Sequence, residues 1–430
     1  MRKLFTFLFA SMVCSAVCSA QDFRTSYFLS NYIYDYRINP AFMGDSFKGF
    51  VSAGVGNVTA SVQASFPMNA FIYKENGRYC FGLNKDYTLE KLTSTLPTFS
   101  KANVSVNENL LAAGWTGKKT AGTIEVNLRS YNSAYFDIEL VKMACNGFDD
   151  VPYGIGNTKA STRNWIEVAY GYKNRVSDNF SFGARLKGLV GLAFSDLNAP
   201  DYFCYYNYIG ESGYYVDGNG TFRSSNTFLT YSISDGKIDP RQPKFGHYSI
   251  GGFGAAADLG LKLTTRRNLE ITVAVLDLGG LVWNNRIYGK VCERPCLDED
   301  DIYRIMEANP DSPASFVWNP VTVEAGARYP FGSKFSAGAL ATIRIDNTAR
   351  GWYEIRAGGA YSPAKVFSVA ASAAINTLGA GIGFALNLRI PGIAFTLGSD
   401  SILGLFAFNS DFIPYRKLNT DLHAGLSVAW

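Results

Sequence analysis

Three residues near the end of the chain have the types a hydrolytic relay needs: Asp421, His423 and Ser427. At i, i+2 and i+6 they share one face of a strand. At about 3.3 Å per residue, however, Ser427 stands roughly 13 Å from His423, too far for proton transfer. They read as a polar stripe, and the only other histidine is His247. The chain has no nucleotide-binding glycine motif before a helix, no His-Glu-x-x-His and no Cys-x-x-Cys. No catalytic residue, metal site or cofactor is therefore expected. After the first 20 residues five cysteines remain, of which Cys292 and Cys296 could bridge within one loop in an oxidising compartment. No histidine lies near that pair to complete a metal site.

The other chemistry-bearing residues are charged and recur at strand spacing. Glu167, Arg185, Lys187, Asp258, Lys262, Glu270, Glu324, Arg328, Arg344, Glu354, Arg356, Arg389 and Asp421 all fall on the face opposite an apolar row. One reading is a network of ion pairs that stiffens a wall and fills an interior. The other is a polar conduit or an anionic head-group site, carried by Arg185, Lys187, Arg328, Arg344 and Arg356 with Glu167 and Glu354 beside them.

The element that must position them is clearest from Trp165 to Phe194, WIEVAYGY and FSFGARLKGLVGLAF around the break KNRVSDN. Ile166, Val168, Tyr170 and Tyr172 share one face. Phe180, Phe182, Ala184, Leu186, Val190, Leu192 and Phe194 share one in the next strand, opposite Gly183, Arg185 and Lys187. The pattern repeats at Phe253–Thr264, Leu269–Leu278, Val321–Tyr329, Phe335–Ile345, Tyr353–Tyr361, Phe367–Ile375, Leu378–Ile390, Ile393–Phe408 and the final DLHAGLSVAW. Earlier strands are expected at Val51–Ser65, Asn103–Trp115 and Thr120–Ser130, with short helices near Tyr87–Leu92, at Tyr135–Cys145 and at Leu297–Ala308. An acidic Ca²⁺ loop at the last helix lacks the required spacing and glycine.

A soluble sandwich turns such apolar faces inward and a membrane barrel turns them out to lipid. Three features favour the barrel. The chain closes an alternating strand on Trp430, resembling the carboxy-terminal insertion signal of outer-membrane barrels. Phe180, Phe335, Tyr353 and Phe367 sit at strand ends, where an interfacial girdle belongs. The breaks at about 173–179, 264–268, 330–334 and 362–366 all fall on the side of the carboxy terminus, while the long stretches 195–249 and 279–320 fall on the other. The expected fold is all-β, a transmembrane antiparallel up-and-down barrel of about 14 strands over residues 49–430, with long outer loops and short helices in loops. Residues 21–48 form an amino-terminal arm or plug. The Tyr-rich loop from Asp201, DYFCYYNYIGESGYY, reads equally as a self-packed lid or as a surface for glycans or proteins.

Composition agrees. Of 430 residues, 42 are Gly, 26 Tyr and 31 Phe, and only 18% are charged, which suits a barrel better than a helical enzyme. Residues 1–20 read as a secretory signal with Arg2 and Lys3 before an apolar run and Cys18-Ser19-Ala20 at the cleavage point. Without Arg2 and Lys3 the 40 basic residues become 38, against 36 acidic ones. Nucleic acid is excluded as a partner, since neutralising phosphates needs a basic excess. No later apolar run reaches the roughly 18 residues of a membrane helix.

Four stretches carry a family resemblance: TSYFLSNYIYDYRINPAF; WIEVAYGY with ARLKGLVGLAF; ADLGLKL with LEITVAVLDLGGLVW; and the tail from Tyr353. They resemble an uncharacterised Bacteroidota family of outer-membrane barrels, a domain of unknown function, over nearly the whole mature chain. The Asn39-Pro40-Ala41 motif is more loosely similar to PorP/SprF-like barrels tied to type IX secretion and gliding. The strand number resembles PorV-like and fatty-acid-transporter-like barrels. The resemblance implies a bacterial outer-membrane location, with outer-membrane lipid and the barrel-assembly machinery as partners. It implies passive transport or binding of a small amphipathic or hydrophobic ligand. The alternative is a non-enzymatic scaffold for secretion or surface attachment, gripping envelope or secreted proteins. No site residue transfers from the family.

Overall fold

The structure, a computed structural model, describes residues 23–81, 89–146, 153–154, 156–207, 213–226, 229–247, 249–285, 287–291, 294–296, 306–308, 313–346, 351–377, 379–407 and 416–430. The leader residues and Cys292 lie outside the described residues, and nothing of the Cys296 side chain is described.

Fourteen strands run antiparallel around a closed wall. They are β1 (Gly49–Ala53 and Val58–Pro67), β2 (Phe99–Thr116), β3 (Thr120–Asp137), β4 (Thr158–Arg175), β5 (Phe180–Asn207), β6 (Gly252–Thr264) and β7 (Glu270–Trp283). The second half comprises β8 (Ser315–Trp318 and Val321–Phe331), β9 (Phe335–Ile345), β10 (Trp352–Ala364), β11 (Phe367–Asn376), β12 (Gly379–Ile390), β13 (Ile393–Ser399) and β14 (Lys417–Ala429). Each pairs with its successor, and β14 closes on β1 through Phe50↔Ala429 and Val58↔Ala424. Closure leaves no free sheet edge, which is what a β structure in hydrocarbon requires.

The outward rows are apolar. Leu186 is 66% exposed, Ile355 65% and Ile375 72%, with Leu259, Ile343, Leu422 and Val428 in the same position on other strands. Water would not tolerate such a continuous belt on a soluble chain; lipid does. Connections at the end that holds Trp430 are short, as at Gly117-Lys118-Lys119, Val176–Asn179 and Pro391-Gly392, while the opposite end carries the long ones.

Bulges change which residues face in, among them one at Leu110 of β2, one in β5 and one in β7. Asn164 pairs Ala193 while Trp165 pairs Gly191, so Leu192 is the extra residue and the alternation reverses beyond it. Phe194, expected on the lipid row, is therefore buried inside. In β7, Ala257 pairs Leu278 and Leu259 pairs Val275. Asp277 takes a left-handed φ of 60° there, and both Leu276 and Asp277 are buried.

Other expectations shift at the long-loop end. The stretch 195–249 is no structureless loop: β5 runs on to Asn207, pairs Gly213–Ser224, and a second ribbon joins Leu229–Ser234 to Lys237–Phe245. A ribbon rising clear of the membrane has no lipid side, so nothing imposes the alternation used to find strands. The expected helix at Leu297–Ala308 is, where described, the strand Met306–Ala308. The helix expected at Tyr135–Cys145 starts later: β3 holds its pairing to Asp137, and α2 runs Ile138–Asn146 after α1 at Leu89–Thr95. Val51–Ser65 is two pieces parted at Gly54–Asn57, and β13 stops at Ser399 before a 3₁₀ turn at Ile402–Ala407.

Candidate functional site

A barrel of eight strands is just filled by its own side chains, so fourteen leave a wide interior. Here residues 23–47 occupy it. This arm folds as three 3₁₀ turns, Arg24–Phe28, Asp35–Arg37 and Pro40–Phe42. Asn39 starts the third: its Oδ1 accepts from Ala41 N at 2.9 Å, and Pro40 supplies the fixed φ of a first position. The aromatics Phe23, Tyr27, Phe28, Tyr32, Tyr34, Tyr36, Phe42 and Phe47 form one buried cluster. Several wall glycines admit the arm. Gly183 and Gly260 pair across β5 and β6, and a Cβ on either would strike Pro40 or Asn39. Asn39 Nδ2 then bonds the carbonyls of Leu261 and Val273, each at 3.1 Å.

Charged groups hold the arm and wall in two layers. In the first, Arg37 donates to Glu125 Oε1 (3.0 Å) and Asn127 (2.5 Å), and Tyr36 OH donates to Glu125. Arg185 pairs with Glu125 and with Asp258 (2.8 Å). Lys187 pairs with Asp258 (2.7 Å) and Asp277 (2.5 Å), and Glu167 lies 3.4 Å from Arg129. Four cations, Arg37, Arg129, Arg185 and Lys187, face four carboxylates, Glu125, Glu167, Asp258 and Asp277. In a low dielectric only such balance makes buried charge tolerable. In the second layer Arg24 pairs with Glu354 (2.8 Å) and lies 4.4 Å over the Trp352 ring. The Arg24 and Thr25 amides donate to Asp400 at 2.9 and 2.6 Å, and Arg356 joins Glu354 (2.8 Å), Ser372 (2.7 Å) and Thr25 (3.1 Å).

At the short-turn end a cavity of about 260 Å³ remains between arm and wall. Tyr27, Leu29, Ser30, Asp35, Phe42, Asp45 and Ser46 of the arm line it with Lys262, Glu270 and Arg328 of the wall. Burial, and then the nearby Asp45 carboxylate, push the Asp35 carboxyl up to about 8.

The residues singled out from the sequence are thus dispersed among these layers. Arg185, Lys187 and Glu167 lie together in the first. Arg356 and Glu354 lie in the second. Arg328 borders the cavity, donating to Glu270 (2.6 Å) and to the Tyr27 and Leu29 carbonyls (3.0 and 3.2 Å). Arg344 stands apart, 4.9 Å from the Tyr131 ring. Trp430 keeps its side chain exposed and exchanges backbone bonds with Gly49. Asp421, His423 and Ser427 turn to different partners. His423 bonds Tyr32 OH (3.0 Å) and Thr59 (2.8 Å), Ser427 bonds Tyr34 OH (3.0 Å), and Asp421 accepts from Asp400 N (2.5 Å). Sequence reasoning missed Arg24, Asp35, Arg37 and Asp45, because the arm has no periodicity. It also missed Asp277, because a bulge looks like ordinary strand. It missed Glu125 as well, although Glu125 shares the inward parity of its strand with Asn127 and Arg129.

The sequence matches the family of unknown function DUF5723 over residues 40–400. The chain belongs to that family. No curated protein matches it. Among solved structures, it is similar to a Pseudomonas aeruginosa FadL homologue at 11% identity, covering 94% of this chain and 95% of that one with a TM-score of 0.48. It is also similar to the Ralstonia pickettii toluene transporter TbuX (10% identity, 92% and 93% covered, TM-score 0.46) and to the P. putida toluene transporter TodX (10%, 96% and 96%, 0.43). Within DUF5723, then, this member is a closed barrel whose interior is filled by its own amino-terminal segment.

Proposed function

We propose that this DUF5723 member is a non-enzymatic barrel of the bacterial outer membrane that binds and passes a small amphipathic or hydrophobic molecule, with the arm as its movable closure. The observation that carries this reading is the separateness of the filling. The interior is not closed by wall side chains alone but by one segment, residues 23–47, attached through side-chain pairs and without a strand of its own in the sheet. A segment so attached can shift without opening the wall. At the long-loop end Trp165, Leu189, Phe194, Leu281 and Trp283 pack into an apolar cluster inside the barrel.

The test is flux into proteoliposomes. The full chain and a variant lacking residues 23–47 are compared for entry of small aromatic and aliphatic solutes. The reading expects solute-dependent flux from the full chain and unselective leak from the deletion variant. A folded deletion variant that stays tight would overturn it. A scaffold is the second reading, and one observation favours it. Strand β5 has 28 residues, about 90 Å at ~3.3 Å each, against a hydrocarbon core of about 30 Å. The ribbon it forms stands well outside the membrane, where a protein partner would meet it. Co-purification of a stoichiometric envelope protein, lost on trimming Asn207–Gly213, would support that reading.

A further inference from the structure

The cavity at the short-turn end is lined by a carboxyl, Asp35, that no cation among the described residues bonds. Asp35 Oδ2 accepts from Ser46 Oγ at 2.7 Å, while Oδ1 is buried and accepts no hydrogen bond among the described residues. The cations around it are committed elsewhere. Lys173 bonds Asp45, and Lys262 bonds Asp45 (3.0 Å) and reaches Glu270 (3.3 Å). Arg328 gives all but one of its five N–H groups to Glu270, Tyr27 and Leu29. Arg389 contributes only at longer range. Phe42, Tyr27 and Leu29 supply the apolar part of the lining, and Ser30 and Ser46 add hydroxyls. Ser30 and Asp45 are exposed, so the cavity opens to solvent beside them.

We propose that this cavity binds a small primary ammonium compound, its –NH₃⁺ donating to the Asp35 carboxylate and its carbon body lying beside Phe42, Tyr27 and Leu29. Size permits it: an apolar cavity of about 150 Å³ takes benzene, so about 260 Å³ takes a ring with a short ammonium tail. Sign selects it. A ligand carboxylate would meet Asp35, Asp45 and Glu270, and would find one free N–H on Arg328 and one on Lys262. An ammonium meets Lys262 and Arg328 as well, but both are paired with Glu270, whereas no cation among the described residues bonds Asp35. Because burial and Asp45 keep Asp35 protonated near pH 7, the ammonium displaces a proton on binding. Affinity therefore rises from pH 7 to pH 9, where an alkylamine still carries its charge. The site goes beyond the passage reading and stands even in a barrel that passes nothing.

The test is calorimetry on the detergent-purified full chain at pH 7 and 9 with 2-phenylethylamine, 2-phenylethanol and 3-phenylpropanoate. The amine is expected to bind at least tenfold more tightly than either analogue. Its heat at pH 7 should vary with buffer ionisation, reporting proton release. Asp35→Asn should weaken the amine at least tenfold and leave the alcohol unchanged, and Asp35→Glu should retain most of the amine affinity. Equal binding of the alcohol would reduce the cavity to an apolar hole, and tightest binding of the acid would reverse its sign; either overturns the proposal, as does an unchanged Asp35→Asn. Limited proteolysis reports whether the arm stays seated in each variant. If Asp35→Asn unseats it, the three-ligand comparison and the proton release, which need no variant, still decide. Failure here leaves the liposome flux experiment untouched.

Discussion

At the residue scale, buried charge divides into groups that many partners hold and groups that few do. Arg185 is 1% exposed and bridges Glu125 and Asp258, with Glu167 3.6 Å away. Arg185→Met leaves four buried carboxylates to three cations and should destabilise the barrel by about 3–5 kcal/mol. Arg344 has a ring contact and a 3.4 Å bond to Thr322, so Arg344→Met should cost only about 0.5–2 kcal/mol. Urea unfolding of both variants in the same lipid reads the contrast, and equal losses would mean the layer is not coupled. Asp35 makes a pH prediction. Its folded value, about 8, lies above the unfolded one of about 4. The stability it lends is whole below pH 4 and is lost as pH rises through 8. Wild type minus Asp35→Asn, measured by arm protection from protease, should favour wild type less at pH 9 than at pH 5. A pH-independent difference would contradict this.

At the element scale, backbone geometry sets which face each side chain takes. Asp277 holds the bulge of β7 at a positive φ, which Asn tolerates and a β-branched residue does not. Both Asp277→Asn and Asp277→Val weaken the Lys187 pair, so Asp277→Val should be the less stable of the two by refolding yield. If they match, the bulge is not strained by the side chain. Gly260 is the seat of Asn39 and Pro40. Gly260→Leu should leave the strands intact by circular dichroism while freeing residues 23–47 to protease. A protected arm would show that another contact holds it.

At the scale of the whole molecule, the solvent outside the wall decides the orientation of every strand. Leu186, at the middle of the belt, is expected to cost about 2–4 kcal/mol when changed to Arg, whereas Phe335→Arg beside a short turn should cost about 0–1 kcal/mol. Folding titrations into liposomes measure both, and equal costs would misplace the membrane. The arm is the complement of that wall: the interior of a fourteen-strand barrel is too wide for side chains alone, and a segment with no alternation of its own takes the remaining space.

The period-two patterning, the short breaks and the small residues opposite the apolar rows determined that a barrel of about 14 strands forms, which face of each strand is apolar, and the inward side of Glu167, Arg185, Lys187, Arg328, Glu354 and Arg356, because alternation is a local property that lipid enforces strand by strand. Only the tertiary structure decided where bulges reverse that alternation, turning Phe194 inward and adding Asp277 to the charge layer. It also decided that Arg24, Asp35 and Arg37 of an aperiodic arm meet wall residues up to several hundred positions away. Those contacts depend on closing the barrel around the arm, and no spacing along the chain encodes the distance across a lumen.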